Sequence, residues 1–421
     1  MIPALRQRYN AAFTDERYAA FLRELNQAMY WPVDFRVAES PLFLDEETTR
    51  ELVKASEDIT RQLAQPEFRT HAQTAIPRAF GGARPELVEG LSSLEVPAET
   101  PWPHFLCVDF ALCRDDAGKI RPQLIELQGF PTVACWQVLL TNSYRKHFPG
   151  IPAEFTPYFG GLDEEGYLAA LRTALVGDCL PENTVLLEIA PGEQKTRIDF
   201  ACTHALLGVR PMCVTKVVKR GRQLFYFSGG REVPIHRIFN RVIFDELLRK
   251  NPPMKFNFAD DLDVQWAGHP NWYYRISKHT LPFLRSPYVP ECRFVSDFAV
   301  GGGSSPDKNL LLPADLENYV LKPLYSFAGL GVDIAPTRDK IAALEKPAEW
   351  LLQRKVVYSP VLETPDGPAK AEVRLIFAGD GDGMPRLVNN LVRLTKGAMH
   401  GVDFNKGKTW VGASAGFHPA V

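Results

Sequence analysis

The chain has 421 residues, 45% of them hydrophobic, and a formal net charge of −2. That length and apolar content allow two or three domains with sizeable buried cores. The near-neutral balance forces no basic face on the protein, so nucleic acid is not an expected partner and any phosphate binding must come from a few placed lysines and arginines. No apolar run approaches the ~18 residues of a membrane-spanning helix, and the opening MIPALRQRYN has no signal-like apolar stretch. Seven cysteines are scattered without a CxxC pair, a pattern expected of reduced, mostly buried thiols in a cytoplasmic protein.

The first hundred residues read mostly as helix. Thr14 is placed to cap a helix running to Ala28, and Asp45 one running to about Leu63. Residues 76–104 are rich in Pro and Gly and read as irregular. Two apolar runs follow, FLCVDFALC (105–113) and PQLIELQGF (122–130), joined by a turn near Ala117–Gly118; this is a hairpin. A strand–helix–strand pattern then begins at TVLLEI (184–189), passes through a helix at 197–208 and continues into VRPMCVTKVV. It predicts a small parallel or mixed sheet. Residues 236–250 turn helical in their second half, and a further helix is expected near 277–285. His236 and His269 show no metal spacing and read as structural. The run AVGGGSSPDKN (299–309) reads as a connection, because no strand–helix context surrounds it. The last third holds a strand at ENYVLKPL, another near 350–358, and a closing hairpin of AEVRLIFAG and PRLVNNLVRLT.

Three places carry chemistry. A turn at 117–118 sets Asp109 opposite Glu126, and Gln128 falls on the same face of the hairpin. Two opposed carboxylates repel, so the pair calls for a cation, and Mg2+ suits carboxylate oxygens; ordinary surface acids on a solvated edge are the alternative. In YVLKPLYSFAGLGVDI, Lys322 sits in a strand ahead of a loop containing Ser326, Gly329 and Gly331. A lysine offers a point charge to phosphate, and glycines let backbone N–H groups approach it; a plain hairpin beside a surface lysine is the alternative. In the last hairpin Glu372 and Arg374 share a face, with Arg393 roughly opposite. Arg393 and Arg374 are candidates to neutralise phosphate charge, or Arg393 forms an ordinary cross-strand pair with Glu372. Gln353, in the strand near 350–358, offers an adenine-contacting edge or is simply core.

These segments, together with NRVIFDEL (240–247) and SKHTLPFL (277–284), resemble the glutathionylspermidine synthase-like, circularly permuted branch of the ATP-grasp superfamily. The hairpin acids precede the lysine strand here, the order of the permuted branch. The resemblance implies a mixed α+β and α/β architecture: an ATP-grasp fold with a helical N-terminus and a small pre-ATP-grasp α/β domain. Residues 1–150 would hold the helices and the metal hairpin, 151–250 the α/β domain, and 251–421 the lysine strand and its loop. It also implies ATP and Mg2+ as cofactors and a carboxylate–amine ligase acting through an acyl phosphate. The substrates would be small-molecule or peptide acids and amines, with no nucleic acid and no membrane as partner. A nucleotide-binding protein without ligase activity, or a phosphotransferase, are the other readings. Asp109, Glu126 and Gln128 match the family's metal positions, Lys322 its phosphate-contacting lysine, and Lys278 a second ATP contact. The chain departs from the pattern at Cys107, where the family has arginine, and at Gln128, where it has asparagine. The resemblance does not include the family's amidase domain, so thiol-amide hydrolysis is not implied.

Overall fold

The computed structural model describes residues 1–75, 96–299, 310–325, 331–397 and 405–421. The expected caps form. Thr14 accepts from the Arg17 N–H and opens the helix Asp15–Gln27; Asp45 accepts from the Thr48 N–H and opens Glu46–Leu63.

The central element is a large antiparallel sheet. Its strands are β1 (Phe105–Arg114) and β2 (Ile120–Gln128). From far along the chain come β10 (Pro360–Leu362), β11 (Ala369–Ala378), β12 (Arg386–Thr395) and β13 (Gly412–Ser414). The main path runs β13-β12-β11-β1-β2, with β10 also pairing β11. Strands from the first and last thirds of the sequence thus share one sheet. Strand alternation gives it two unlike faces. Leu106, Val108, Phe110 and Leu112 of β1 point into an apolar core with Val373, Leu375 and Val392. The other face carries Cys107 and Asp109, which are just as buried.

Between these halves of the chain lies a four-stranded parallel sheet of β3 (Thr184–Glu188), β4 (Arg210–Cys213), β5 (Arg237–Asn240) and β6 (Gln265–Ala267). Its order is β6-β5-β3-β4, and its two central strands, β3 and β5, are fully buried runs of the kind a covered parallel sheet requires. The fourth strand falls beyond residue 250, so this sheet extends past the expected 151–250 segment. A third sheet, antiparallel, is made of β7 (Cys292–Phe294), β8 (Tyr319–Pro323) and β9 (Trp350–Arg354), with β9 in the middle. The helix expected near 277–285 is a 3-10 segment, Lys278–Phe283, with Pro282 inside it. Proline removes an N–H donor and disfavours a regular helix interior.

His269 is structural, as the sequence suggested, and its surroundings fix a neutral ring. Nδ1 accepts from the Asn271 N–H at 3.2 Å, so Nε2 donates to the Pro97 carbonyl at 2.9 Å. Burial lowers its pKa to about 4. A depressed folded pKa means the unfolded chain binds the proton first. The stability from the neutral ring is present above about pH 6.5 and is lost as pH falls toward 4. Across pH 6 to 4.5, wild-type unfolding free energy should therefore fall about 1.4 kcal/mol per pH unit more steeply than that of His269→Gln. Denaturant titrations at several pH values check this, and parallel profiles would contradict it.

Candidate functional site

Asp109 lies opposite Glu126 across β1 and β2, and Gln128 lies opposite Cys107. The route to that register is not the simple turn expected from the sequence. Arg114 pairs with Ile120 and Phe110 with Leu124, after which Asp109 pairs with Glu126. Ile125 is the extra residue of a β-bulge, which moves the register back by one. The bulge also leaves the Ile125 carbonyl off the ladder, and the Lys322 Nζ donates to it at 3.2 Å.

On the next strand Arg374 stands opposite Asp109, and Glu372 stands opposite Arg393. The Arg374 guanidinium grips Asp109 two-pronged, Nε to Oδ1 and Nη2 to Oδ2, each at 2.6 Å. Arg393 Nη2 donates to Asp109 Oδ2 at 2.6 Å and also to Glu372 Oε1. Tyr358 donates to Glu372 Oε2 at 2.6 Å. Arg374 Nη2 is 3.8 Å from Glu126 Oε1, and its Nη1 donates to the Thr132 hydroxyl at 3.1 Å. Burial lowers the Arg374 guanidinium, but Asp109, with Cys107 and Glu126 beside it, raises it further, and the net shift is upward.

The repulsion expected between the hairpin acids is therefore answered from within the chain. Both Asp109 oxygens accept from guanidinium groups and are 99% removed from solvent. A divalent ion on those oxygens would have to displace or abut two guanidinium charges. Asp109 does not fit the metal-ligand role expected for it. Glu126 and Gln128 are half-buried on the same face and do offer oxygens to a cation. Among the described residues no cluster of three His, Cys, Asp or Glu side chains has metal-binding geometry. The Arg393–Glu372 pair weighed from sequence is present, but Arg393 serves Asp109 as well.

Lys322 comes from β8, in the smaller sheet, and reaches the larger one. Besides the Ile125 carbonyl it donates to Gln353 Oε1 at 2.5 Å, the two side chains lying on adjacent strands β8 and β9. Lys322 is 8% exposed and forms no ion pair among the described residues. Burial lowers its pKa, and the field of Glu126 is the largest influence opposing that. Gln353 is also buried, and its Nε2 has no hydrogen-bond partner. Lys278, from the 3-10 segment, is buried as well. Burial lowers it, Glu126 opposes, and Lys322 adds to the lowering. Two ammonium groups thus share one electrostatic neighbourhood with Glu126.

Leu321 and Asp333 exchange backbone hydrogen bonds of 2.9 Å, so the chain leaves β8 and returns beside it. Gly331 sits on the return with φ +77°, and a Cβ there would meet Pro323 Cγ at 3.1 Å. Glycine fits that left-handed, crowded position. Ser326 and Gly329, expected in the phosphate loop, lie outside the described residues, as does the Gly301–Gly303 run.

No family model matches the chain, and no curated protein matches it. Among solved structures, a glutathione synthetase-like effector from Globodera pallida, in its apo form, superposes over 100% of this chain and 99% of its own with a TM-score of 0.54 and 9% identity. The chain shares the fold of a glutathione synthetase-like protein. At that identity the likeness is one of fold alone, a mixed helix-and-sheet architecture. No helix of the described residues is long and apolar enough to cross a membrane.

Sequence reasoning missed Thr132, Tyr358, Glu188 and Arg241. Thr132 Oγ1 accepts from Arg374, while its carbonyl accepts from Arg241 Nη1 at 2.9 Å. Arg241 had a usable signal: it follows the buried strand RIFN directly and precedes two apolar residues. A charge there has to be accounted for by a partner or a ligand.

Proposed function

We propose that ATP binds where β8–β9 meet the β1–β2 bulge, and that the protein is an ATP-dependent carboxylate–amine ligase of the ATP-grasp kind. The observation that carries the reading is Lys322. It is a buried ammonium with only neutral hydrogen-bond partners, beside a buried amide donor, Gln353 Nε2, that has none. Burying such a charge is costly without a counter-charge, and a phosphate oxygen supplies one. Lys278 adds a second cation. The glutathione synthetase-like name of the structural neighbour supports the same reaction class.

In this reading Lys322 and Lys278 hold the triphosphate, and the Gln353 amide takes an acceptor on the nucleotide. Glu126 and Gln128 hold Mg2+, which supplies charge neutralisation at the phosphates when bound. Arg374 and Arg393, fixed by Asp109 and Glu372, offer guanidinium N–H groups to the acid substrate. The substrate carboxylate oxygen attacks the γ-phosphorus and ADP leaves. The amine nitrogen then attacks the acyl carbon, the C–O bond to phosphate breaks, and a proton and phosphate are released. A second reading, nucleotide binding without turnover, is favoured by the full engagement of Asp109 with arginines.

The test is ADP release from ATP and Mg2+ across a matrix of acids and amines. The ligase reading expects release that needs one acid and one amine together. Release with an acid alone points to a phosphotransferase, and tight nucleotide binding without release to the second reading.

A further inference from the structure

The parallel sheet has a switch point. From β3 the chain goes on to β4 on one side, and from β5 to β6 on the other, so the connections depart in opposite directions, the arrangement that sets a crevice at the carboxyl ends of β3 and β5. Ligands of open α/β sheets bind at such crevices. Two ionisable side chains occupy this one. Glu188 ends β3, and Arg241 directly follows β5, its backbone N–H bonded to the Leu187 carbonyl at 2.9 Å.

Both are more than nine-tenths buried, at 6% and 7% exposed. Each feels the other's field, yet neither forms an ion pair among the described residues. Arg241 Nη1 donates to the Thr132 carbonyl, its Nε has no partner, and the guanidinium lies over the Phe200 and Phe130 rings at 5.5 and 5.8 Å. Glu188 Oε1 accepts only from the Ile189 N–H, at 2.6 Å. Asp199, the other carboxyl acting on Arg241, is engaged in capping the helix at the Trp136 N–H, at 2.8 Å. Two residues beyond Glu188 the chain turns through Ala190 at φ +46°, a strained conformation for a residue other than glycine and one that collects at functional sites. A buried cation is costly without a paired counter-charge, and the Glu188 carboxyl answers its own burial with a pKa raised to about 8. A ligand carrying both complementary charges satisfies both.

We propose that this crevice binds the head group of a free α-amino acid, with its carboxylate on Arg241 and its ammonium on Glu188. Thr132 joins this crevice to the arginine cluster, since Arg241 holds its carbonyl and Arg374 its hydroxyl. The ligand is then the amine-bearing substrate. That last step rests on the ligase reading, whereas the binding itself does not.

The experiment is a calorimetric titration of the intact protein with each of the twenty common amino acids, with and without Mg2+ and a non-hydrolysable ATP analogue. The strongest binder is then compared with its decarboxylated amine and its deaminated acid. At least one amino acid should bind, and both singly charged analogues should bind at least tenfold more weakly. Arg241→Met should lose at least tenfold in affinity. Glu188→Gln, isosteric and retained as the control for folding, should lose several-fold while still melting cooperatively. If none of the twenty binds in either condition, the proposal is overturned. It is equally overturned if the amine alone binds as tightly, or if folded Arg241→Met or Glu188→Gln binds as wild type does. The analogue titration alone reads nucleotide binding, so failure there and failure here are separate results.

Discussion

Replacing Arg374 by Met should destabilise the protein by about 3–5 kcal/mol, the cost of removing one partner of a buried ion pair. Asp109 would keep only its bond from Arg393, with one carboxylate oxygen left in a buried site without a donor. The excess cost lies in that stranded charge rather than in the lost guanidinium. Asp109→Asn combined with Arg374→Met should therefore be at least ~1 kcal/mol less destabilised than the sum of the two single variants, the coupling expected of groups in contact. Denaturant unfolding of the four proteins checks this. Additive effects, or an Arg374→Met protein within ~0.5 kcal/mol of wild type, would contradict the view that arginines organise the Asp109 carboxylate.

Lys322→Met should behave in the opposite way. The ammonium is buried against two neutral acceptors, so its removal relieves a desolvation cost while losing two hydrogen bonds. Fold stability should stay within about 1 kcal/mol of wild type, by the magnitude of a net hydrogen bond. Nucleotide affinity should fall at least tenfold, since a desolvated charge-assisted contact to phosphate is worth more than a neutral bond. Calorimetry with ATP alongside a thermal melt separates the two effects. Unchanged affinity removes Lys322 from the site, and a parallel loss of melting temperature and affinity assigns it to the fold.

Much of this was legible because it is periodic or local. The Thr14 and Asp45 caps, the 105–128 hairpin and the 369–395 hairpin follow from spacing and turn chemistry. The pairing of Asp109 with Glu126 came out as expected only because the bulge at Ile125 offsets a register one residue different at the turn. Bulges leave no dependable mark in a single sequence. The partner of Asp109 was not legible as such. Arg374 was visible as a cation on a strand, but its place opposite Asp109 depends on pairing strands 265 residues apart. For the same reason the charge was assigned to a metal rather than to guanidinium. Glu188 and Arg241 escaped notice because each ends a different strand of a sheet whose order is set by tertiary packing. The helix expected near 277–285 is a short 3-10 segment because Pro282 interrupts the hydrogen-bond ladder of a regular helix.

The central claim is that a nucleotide lies between the two antiparallel sheets, with its phosphates at Lys322. A crystal structure with Mg2+ and a non-hydrolysable ATP analogue tests it most directly. The account predicts phosphate oxygens within about 3 Å of the Lys322 Nζ, the distance of a charge-assisted hydrogen bond, with the Gln353 amide also engaged. Phosphates bound elsewhere on the molecule, with Lys322 still confined to the Ile125 carbonyl and Gln353, would contradict it.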